Sequence, residues 1–270
     1  MGGVVNIKER YRLFGAPHIE GWLHPDCAQM IDIFDDLQKE AGLQGDIAEI
    51  GVHHGRLFVL LALCARPGEA IVAIDLFELQ HLNQDGNGFA ERSVLDGNIT
   101  RWCGSTDRIT YLKGSTLELS VERLRAAGGP FRLFSVDGGH SAECALNDLV
   151  LADQTLAEGG VMMMDDVFNP HWPDVATGCV QYMLRPDRRL QPFAVHANKV
   201  HFCHPGWAAF YREGLLRSPL KMLRSTTMWG VEVDLYDRVT GAGGLATYAA
   251  SRLRASRLYP HLVRIKRALG

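Results

Sequence analysis

Residues 131–166 read FRLFSVDGGHSAECALNDLVLADQTLAEGGVMMMDD, and this stretch decides the predicted fold. Two of its segments, Phe131–Val136 and Gly160–Met164, are short and largely apolar, as strands are when both faces of a sheet are covered. Between them, apolar residues recur at helical spacing over residues 141–157. A strand, a helix and a second strand in this order predict a parallel pair joined by a crossover helix.

The same alternation continues on both sides of this stretch. Further strands are predicted at 46–52, 70–76 and 108–112, helices at 26–41, 57–65 and 116–126, a β-hairpin at 193–204, and weaker elements at 207–216 and 230–236. Because crossovers in parallel sheets are right-handed, the pattern predicts an α/β fold. Its centre is a doubly wound, mostly parallel seven-stranded sheet with a terminal antiparallel hairpin. We divide the chain into an N-terminal arm and helix (1–44), one α/β domain (45–205) and a C-terminal extension (206–270).

The composition is that of a globular protein, because 47% of the residues are apolar and 22% are charged. The longest apolar run, Phe58–Ala65, is far shorter than the roughly 20 residues that a membrane span needs. Charged residues near the N-terminus replace the apolar core of a signal peptide, which predicts a cytoplasmic location. No two of the six cysteines lie within four positions, so the sequence offers neither a zinc ribbon nor a CxxC redox motif.

The charge distribution bears on possible partners. A net charge of −3 argues against nucleic acid. Residues Ser251–Gly270, however, hold six Lys or Arg residues and no acid. This basic segment predicts either peripheral contact with an anionic membrane or polymer, or contact with a neighbouring subunit of a homo-oligomer.

The loop after the first predicted strand is a candidate cofactor site. It reads Glu49-Ile50-Gly51-Val52-His53-His54-Gly55, and its glycines allow a tight turn and close approach to a ligand. Asp75 ends the second strand, where a carboxylate can accept hydrogen bonds from both hydroxyls of a ribose. A dinucleotide site needs GxGxxG, whereas ExGxxxG with an acidic Glu49 suits the cationic end of S-adenosylmethionine. A packing turn without a ligand is the alternative.

A cluster of carboxylates follows the next two strands. Asp137 ends the fourth strand, and Asp165 and Asp166 end the fifth, so all three acids are expected at one edge of the sheet. Such acids repel one another unless a cation neutralises them, and an all-oxygen set suits Mg²⁺. His140, three residues after Asp137, is a candidate general base for a hydroxyl that this cation makes more acidic. An ordinary polar turn that caps a helix is the alternative for the acids.

The succession EIGVHHG, AIDLFE, LKGST, FSVDGGHSAECALNDL and LAEGGVMMMDD resembles class I S-adenosylmethionine-dependent methyltransferases. It is most similar to the metal-dependent group that contains the macrocin and mycinamicin O-methyltransferases and the cephalosporin-hydroxylase-like proteins. The resemblance covers residues 45–205. Its most specific part is DGxH followed by GG and a paired acid, which is Asp-Asp here and Glu-Asp in several sugar methyltransferases.

The resemblance implies a role for each candidate residue. Glu49, Gly51 and Gly55 would line the methionine end of the cofactor, Asp75 would hold its ribose, Ser115 would lie near the adenine, Asp137, Asp165 and Asp166 would ligate the metal, and His140 would be the general base. The implied activity is Mg²⁺-dependent O-methylation of a sugar or another vicinal-oxygen small molecule in glycan or natural-product biosynthesis. From the residues themselves, segment 167–173, with Phe168 and Trp172, predicts an aromatic platform that contributes to specificity, and segment 77–92, with its Asn, Asp and Gly residues, predicts a lid.

Two other functions remain open from the residues alone. An NAD-dependent oxidoreductase could use the same sheet, although the third glycine of its motif is missing. A non-catalytic protein that keeps the fold and binds a partner is the second alternative, although all three acids are present.

Overall fold

Nine strands form one sheet in the computed structural model, which describes residues 6–237. In chain order they are β1 (Asp46–Ile50), β2 (Ile71–Asp75), β3 (Ile109–Lys113), β4 (Phe131–Val136), β5 (Leu156–Met164), β6 (Gln191–His196), β7 (Lys199–Cys203), β8 (Met222–Met228) and β9 (Val231–Tyr236). Their order across the sheet is β3-β2-β1-β4-β5-β7-β6-β9-β8. The first five are parallel, β7 runs antiparallel to both β5 and β6, β9 is parallel to β6, and β8 is antiparallel to β9.

Helices cover both faces of this sheet. They are α1 (Ile7–Phe14), α2 (Pro25–Glu40), α3 (Phe58–Cys64), α4 (Arg92–Cys103), α5 (Val121–Ala127), α6 (Ala142–Thr155), α7 (Pro173–Met183) and α8 (Ala208–Leu216). Side chains of α1, α2, α3, α4 and α8 share one apolar core, whereas those of α5, α6 and α7 share another. Successive strand residues alternate between the two cores, as Leu133 and Phe134 of β4 do. This arrangement confirms the predicted doubly wound α/β fold.

The sheet has nine strands where seven were predicted, and one of the two additional strands, β9, is the weaker element predicted at 230–236. β9 pairs with β6, with Val195 opposite Leu235, and β8 then forms the outer edge. The sequence MLRSTTM of β8 did not suggest a strand, because an edge strand can be largely exposed and carry polar residues. The predicted antiparallel hairpin is confirmed as β6 and β7, although the sheet does not end there.

The segments on either side of the predicted α/β domain join the same fold. The first contributes α1 and α2, and residues 206–237 contribute α8, β8 and β9. Gly214 of α8 lies so close to α2 that a Cβ there would meet Leu37 at 2.3 Å. No helix within residues 6–237 has the length and apolar character to cross a membrane. The basic segment 251–270 lies outside the described residues, and the predicted domain boundaries stay predictions.

A buried ion-pair network ties β4 to its surroundings. The Arg132 side chain is fully buried and donates hydrogen bonds to Glu69 at 2.9 and 3.0 Å, to Asp35 of α2 at 2.9 Å and to the Cys64 carbonyl at 2.7 Å. Removing a guanidinium from water costs several kcal/mol, and this cost is offset only when its N–H groups find acceptors, as they do here. Arg132 therefore links β4 with α2, α3 and the segment before β2.

We expect Arg132→Met to lower the free energy of unfolding by about 3–5 kcal/mol, because Glu69 would lose its closest counter-charge and Asp35 would lose one of the cations with which it pairs. Urea unfolding monitored by circular dichroism measures this loss. The control is Arg185→Met, which removes an exposed pair with Asp187 and should leave stability unchanged. Equal stability of the Arg132 variant and the wild type would contradict the interpretation.

Candidate active site

A cavity of about 890 Å³ opens where the parallel strands end. Its lining includes Gly51–His53 after β1, Leu76 after β2, Gly114–Leu117 after β3, Asp137–Ser141 after β4, and Asp165 with Asp166 after β5. Between β1 and β4 the strand order reverses. Ligands of doubly wound sheets bind at such a switch point. The cavity thus lies where the topology favours a ligand.

Gly51 brings the loops after β1 and β4 into contact. Its φ is +80°, and a Cβ at this position would lie 1.7 Å from the carbonyl oxygen of Asp137. Only glycine fits both this conformation and this contact. Gly51 also lines the cavity, and its role at the methionine end of a cofactor stays a prediction.

Gly55 packs closely against α4. It is not among the cavity-lining residues, and a Cβ there would lie 2.5 Å from Cδ1 of Leu95 in α4. The residue also has a positive φ of +89°. Its lack of a side chain therefore serves the packing of the loop against α4, and the structure does not bring Gly55 to the site predicted for the methionine end of a cofactor.

Glu49 is a buried acid without a complete set of partners. Its side chain lies at the cavity and is 1% exposed, and its Oε2 has no hydrogen-bond partner. Burial and the nearby Asp137 carboxylate raise the pKa of Glu49 well above its ordinary value. An unpaired buried carboxylate oxygen is costly in an otherwise satisfied protein, so it marks a place where a cationic or hydrogen-bonding ligand group fits.

Asp75 and Ser115 also line the cavity, at the ends of β2 and β3. The Asp75 carboxylate accepts hydrogen bonds from the backbone N–H groups of His53 at 3.0 Å and Phe77 at 3.2 Å. Ser115 Oγ accepts one from the backbone N–H of Leu117 at 3.3 Å. These bonds hold both side chains in place, and Asp75 is the group that links the loop after β1 to the end of β2.

The structure brings two of the predicted metal ligands together with the predicted base. One ligand atom from each of Asp137, His140 and Asp166 lies within 4.8 Å of the others. Asp165 is beside them, but its carboxylate accepts hydrogen bonds from Lys199 and, at 2.8 Å, from the backbone N–H of Asp166. Burial and the Asp165 carboxylate raise the pKa of Asp137 well above its ordinary value. Negative charge is therefore concentrated in this corner.

Lys199, which the sequence analysis did not single out, provides the balancing charge. It is 5% exposed, lines the cavity and forms an ion pair with Asp165. Burial lowers the pKa of Lys199, but Asp165 and Asp137 outweigh this effect and raise it. A lysine directly after a hairpin turn resembles a surface residue. The antiparallel register of β5 and β7 pairs Met164 with Val200 and so sets Lys199 beside Asp165.

His140 is held on three sides. Its Nδ1 lies 2.7 Å from Asp85 Oδ2, its Nε2 lies 3.1 Å from Asp166 Oδ2, and its ring stacks on Trp172 with centroids 4.2 Å apart. Burial lowers the pKa of His140, but the two carboxylates outweigh this effect and raise it to about 9. Asp85 and Trp172 come from segments in which the sequence analysis predicted a lid and an aromatic platform.

The comparisons with known proteins agree with this architecture. The Methyltransf_24 family, a methyltransferase domain, matches residues 48–167. The O-methyltransferase NovP is similar in structure, with a TM-score of 0.55 and 14% identity over 66% of this chain and 80% of that one. The O-methyltransferase from Bacillus cereus, in complex with SAH, gives a TM-score of 0.51 with 15% identity over 75% of this chain and 91% of that one.

A third similar structure is the MycE methyltransferase from the mycinamycin biosynthetic pathway, in complex with Mg, SAH and mycinamycin VI. Its TM-score is 0.50, with 16% identity over 75% of this chain and 55% of that one. No curated protein matches the sequence. The matched domain runs from β1 to the end of β5 and includes Glu49, Asp75, Asp137 and Asp166. Residues 48–167 of the chain thus match a methyltransferase domain, and the chain shares its fold with these O-methyltransferase structures.

Proposed function

We propose that the protein is a Mg²⁺-dependent O-methyltransferase that acts on a hydroxyl group of a sugar or another vicinal-oxygen small molecule, in glycan or natural-product biosynthesis. One observation carries the proposal. The same cavity holds the unpaired carboxylate oxygen of Glu49 and the cluster of Asp137, His140 and Asp166. The first suits a cationic methyl donor, and the second suits the activation of a hydroxyl group.

The residues at the end of β1 and β2 suit S-adenosylmethionine, which carries an electrophilic methyl group on a sulfonium. The Glu49 carboxylate can pair with the ammonium of its methionine part, because Oε2 has no other partner. Asp75 can accept hydrogen bonds from the ribose hydroxyls, and Ser115 lines the cavity near the end of β3, where the adenine would lie. The SAH bound to the Bacillus cereus O-methyltransferase and to MycE supports this cofactor.

The acidic corner suits a divalent cation. Asp137 and Asp166 offer the carboxylate oxygens that Mg²⁺ prefers, and Asp165 can join them once it gives up its contact with Lys199. When bound, such an ion would act as a Lewis acid that makes a coordinated hydroxyl more acidic. The Mg in the MycE complex supports this part of the proposal.

His140 would accept the proton of the acceptor hydroxyl at Nε2, the ring nitrogen that faces Asp166. An imidazole can do this only when Nε2 carries no proton, and the hydrogen bond to Asp166 helps to raise the pKa of His140 to about 9 and so keeps Nε2 protonated near neutral pH. Asp166 would release Nε2 on becoming a metal ligand, so the two proposed roles are compatible. Trp172 covers one face of the ring and helps to hold its plane.

The charges around the cavity favour a neutral or cationic acceptor. Six acidic side chains line it, namely Glu49, Asp75, Asp85, Asp137, Asp165 and Asp166. Among the lining residues of the described chain, the positive charges come from Arg56, Lys199 and His140, whose pKa is raised to about 9. Lys199 pairs with Asp165, and Arg56 donates a 2.6 Å hydrogen bond to the Gly21 carbonyl. A phosphate on the acceptor would therefore meet more negative than positive charge.

Incubation with methyl-labelled S-adenosylmethionine, Mg²⁺ and a panel of glycosides and polyols should yield a labelled methyl ether. We expect EDTA to abolish the transfer and Asp166→Asn to reduce it at least about 100-fold, because Lewis-acid activation is worth several kcal/mol. Asp174→Asn, a change of an exposed acid in α7, is the control and should keep full activity. Full turnover in EDTA would refute the metal role, and no labelled product from any acceptor would refute the activity.

Glu49→Gln should weaken SAH binding about 10- to 100-fold in calorimetric titration, because a charge-assisted contact to the ammonium is lost. The variant should nevertheless be at least as stable as the wild type without ligand, since a buried negative charge is removed. The raised pKa of Glu49 means that the stability advantage of the variant should grow as the pH rises above the ordinary value of 4.5. Glu118→Gln, at an exposed site, is the control. Unchanged SAH affinity would contradict the assignment.

Neutral methyl glycosides should be better acceptors than the corresponding sugar 1-phosphates, with kcat/KM at least about 10-fold higher, because the phosphate would face more acidic than basic side chains. Methyl-transfer rates with matched pairs of acceptors measure this ratio. A preference for the phosphorylated member of each pair would contradict the charge argument.

A further inference from the structure

The loop between β2 and α4, residues 76–91, reaches across the cavity to the end of β4. Its central turn is organised by Asn83, whose Oδ1 accepts the backbone N–H groups of Asp85 and Gly86, both at 3.1 Å. The Asn83 amide nitrogen in turn donates to Gln80 Oε1 at 3.0 Å and to the Asn87 carbonyl at 2.8 Å. The turn therefore has a defined geometry, and it presents one carboxylate, that of Asp85, to the site.

Asp85 makes two contacts with one residue. Its Oδ2 lies 2.7 Å from His140 Nδ1 and accepts the His140 backbone N–H at 3.2 Å. Both side chains are largely removed from solvent, with 20% of Asp85 and 16% of His140 exposed. The two residues are 55 positions apart in the sequence, so the contact joins the β2–α4 loop to the loop after β4.

We propose that Asp85 is a positioning residue that holds the His140 ring with Nδ1–H toward the β2–α4 loop and Nε2 toward the acidic corner. A carboxylate that accepts Nδ1–H leaves Nε2 as the nitrogen that takes up a proton, as in hydrolase triads. The inference rests on the proposed function, because it assigns Asp85 to the base of that reaction. It adds that His140 has its working orientation only while residues 76–91 are docked.

Because Asp85 lies on a long loop, the orientation of His140 is coupled to the docking of that loop. Asp137 and Asp166 directly follow strands of the sheet, whereas Asp85 lies in the middle of a sixteen-residue connection whose described helix content is one short turn, Gln80–Leu82. Loops of this length are commonly lids or binding segments. Docking of the loop would close the cavity and orient the base in one event, so the reaction would start only after the acceptor is covered.

Hydrogen exchange followed by mass spectrometry tests the docking on the ligand-free protein. We expect Asp85→Ala and His140→Gln each to raise exchange in peptides from residues 76–91, because each removes one side of the same contact. Glu91→Gln, an exposed acid at the end of the same loop, is the control and should leave exchange unchanged. Wild-type exchange in Asp85→Ala would overturn the inference.

The variant Asp85→Asn distinguishes an effect on the His140 base from a role in anchoring the loop of residues 76–91. Asparagine can still accept the two hydrogen bonds, so exchange in the loop should stay close to that of the wild type. We expect kcat for methyl transfer to fall about 10- to 100-fold with KM for S-adenosylmethionine within about twofold, because a neutral amide neither favours Nδ1–H as a carboxylate does nor stabilises the imidazolium that forms when Nε2 takes up the proton. Full activity of Asp85→Asn would mean that Asp85 only anchors the loop.

The double variant Asp85→Asn/His140→Gln should be no slower than His140→Gln alone, since a positioning residue has no effect without the residue that it positions. Additive losses would overturn the inference. Full activity of His140→Gln would refute the base of the proposed function and with it the role of Asp85, and the exchange data would still report whether the loop docks. The two failures are therefore distinguishable.

Discussion

The arrangement of the site depends on the crowding of buried carboxylates around the ammonium group of Lys199. Glu49, Asp137 and Asp165 converge in the wall of the cavity, and the Lys199 ammonium lies among them. Buried carboxylates that lie close together repel one another and destabilise the folded chain unless cations offset their charge. The protein keeps them nevertheless, and it leaves a Glu49 oxygen without a partner. A site that stores negative charge in this way is suited to bind positively charged groups.

Much of the fold could be predicted from the sequence, and the reasons are local. β1, β4 and β5 are buried on both faces, so their apolar runs stand out, and the acids that follow them had to share one edge of a parallel sheet. β8 did not stand out, because an exposed edge strand needs no apolar residues.

The candidate site was only partly accessible by the same reasoning. Asp137, His140 and Asp166 follow strands directly, and their proximity follows from topology. Lys199 reaches the site through the register of an antiparallel pair, and Asp85 reaches it through a long loop. Neither the register nor the path of that loop is encoded in a local pattern. Gly55 shows the opposite difficulty, because a glycine required for packing against Leu95 looks the same in a sequence as one required for a ligand.

The contact between Gly51 and the backbone of Asp137 limits how such a protein can diversify. Any larger residue at position 51 would force the ends of β1 and β4 apart and disturb both halves of the site at once. Residues 76–91 and 167–173, by contrast, border the cavity without holding the sheet together. These two loops can therefore change without disturbing the Gly51–Asp137 junction, which gives the fold a fixed centre and an adaptable rim.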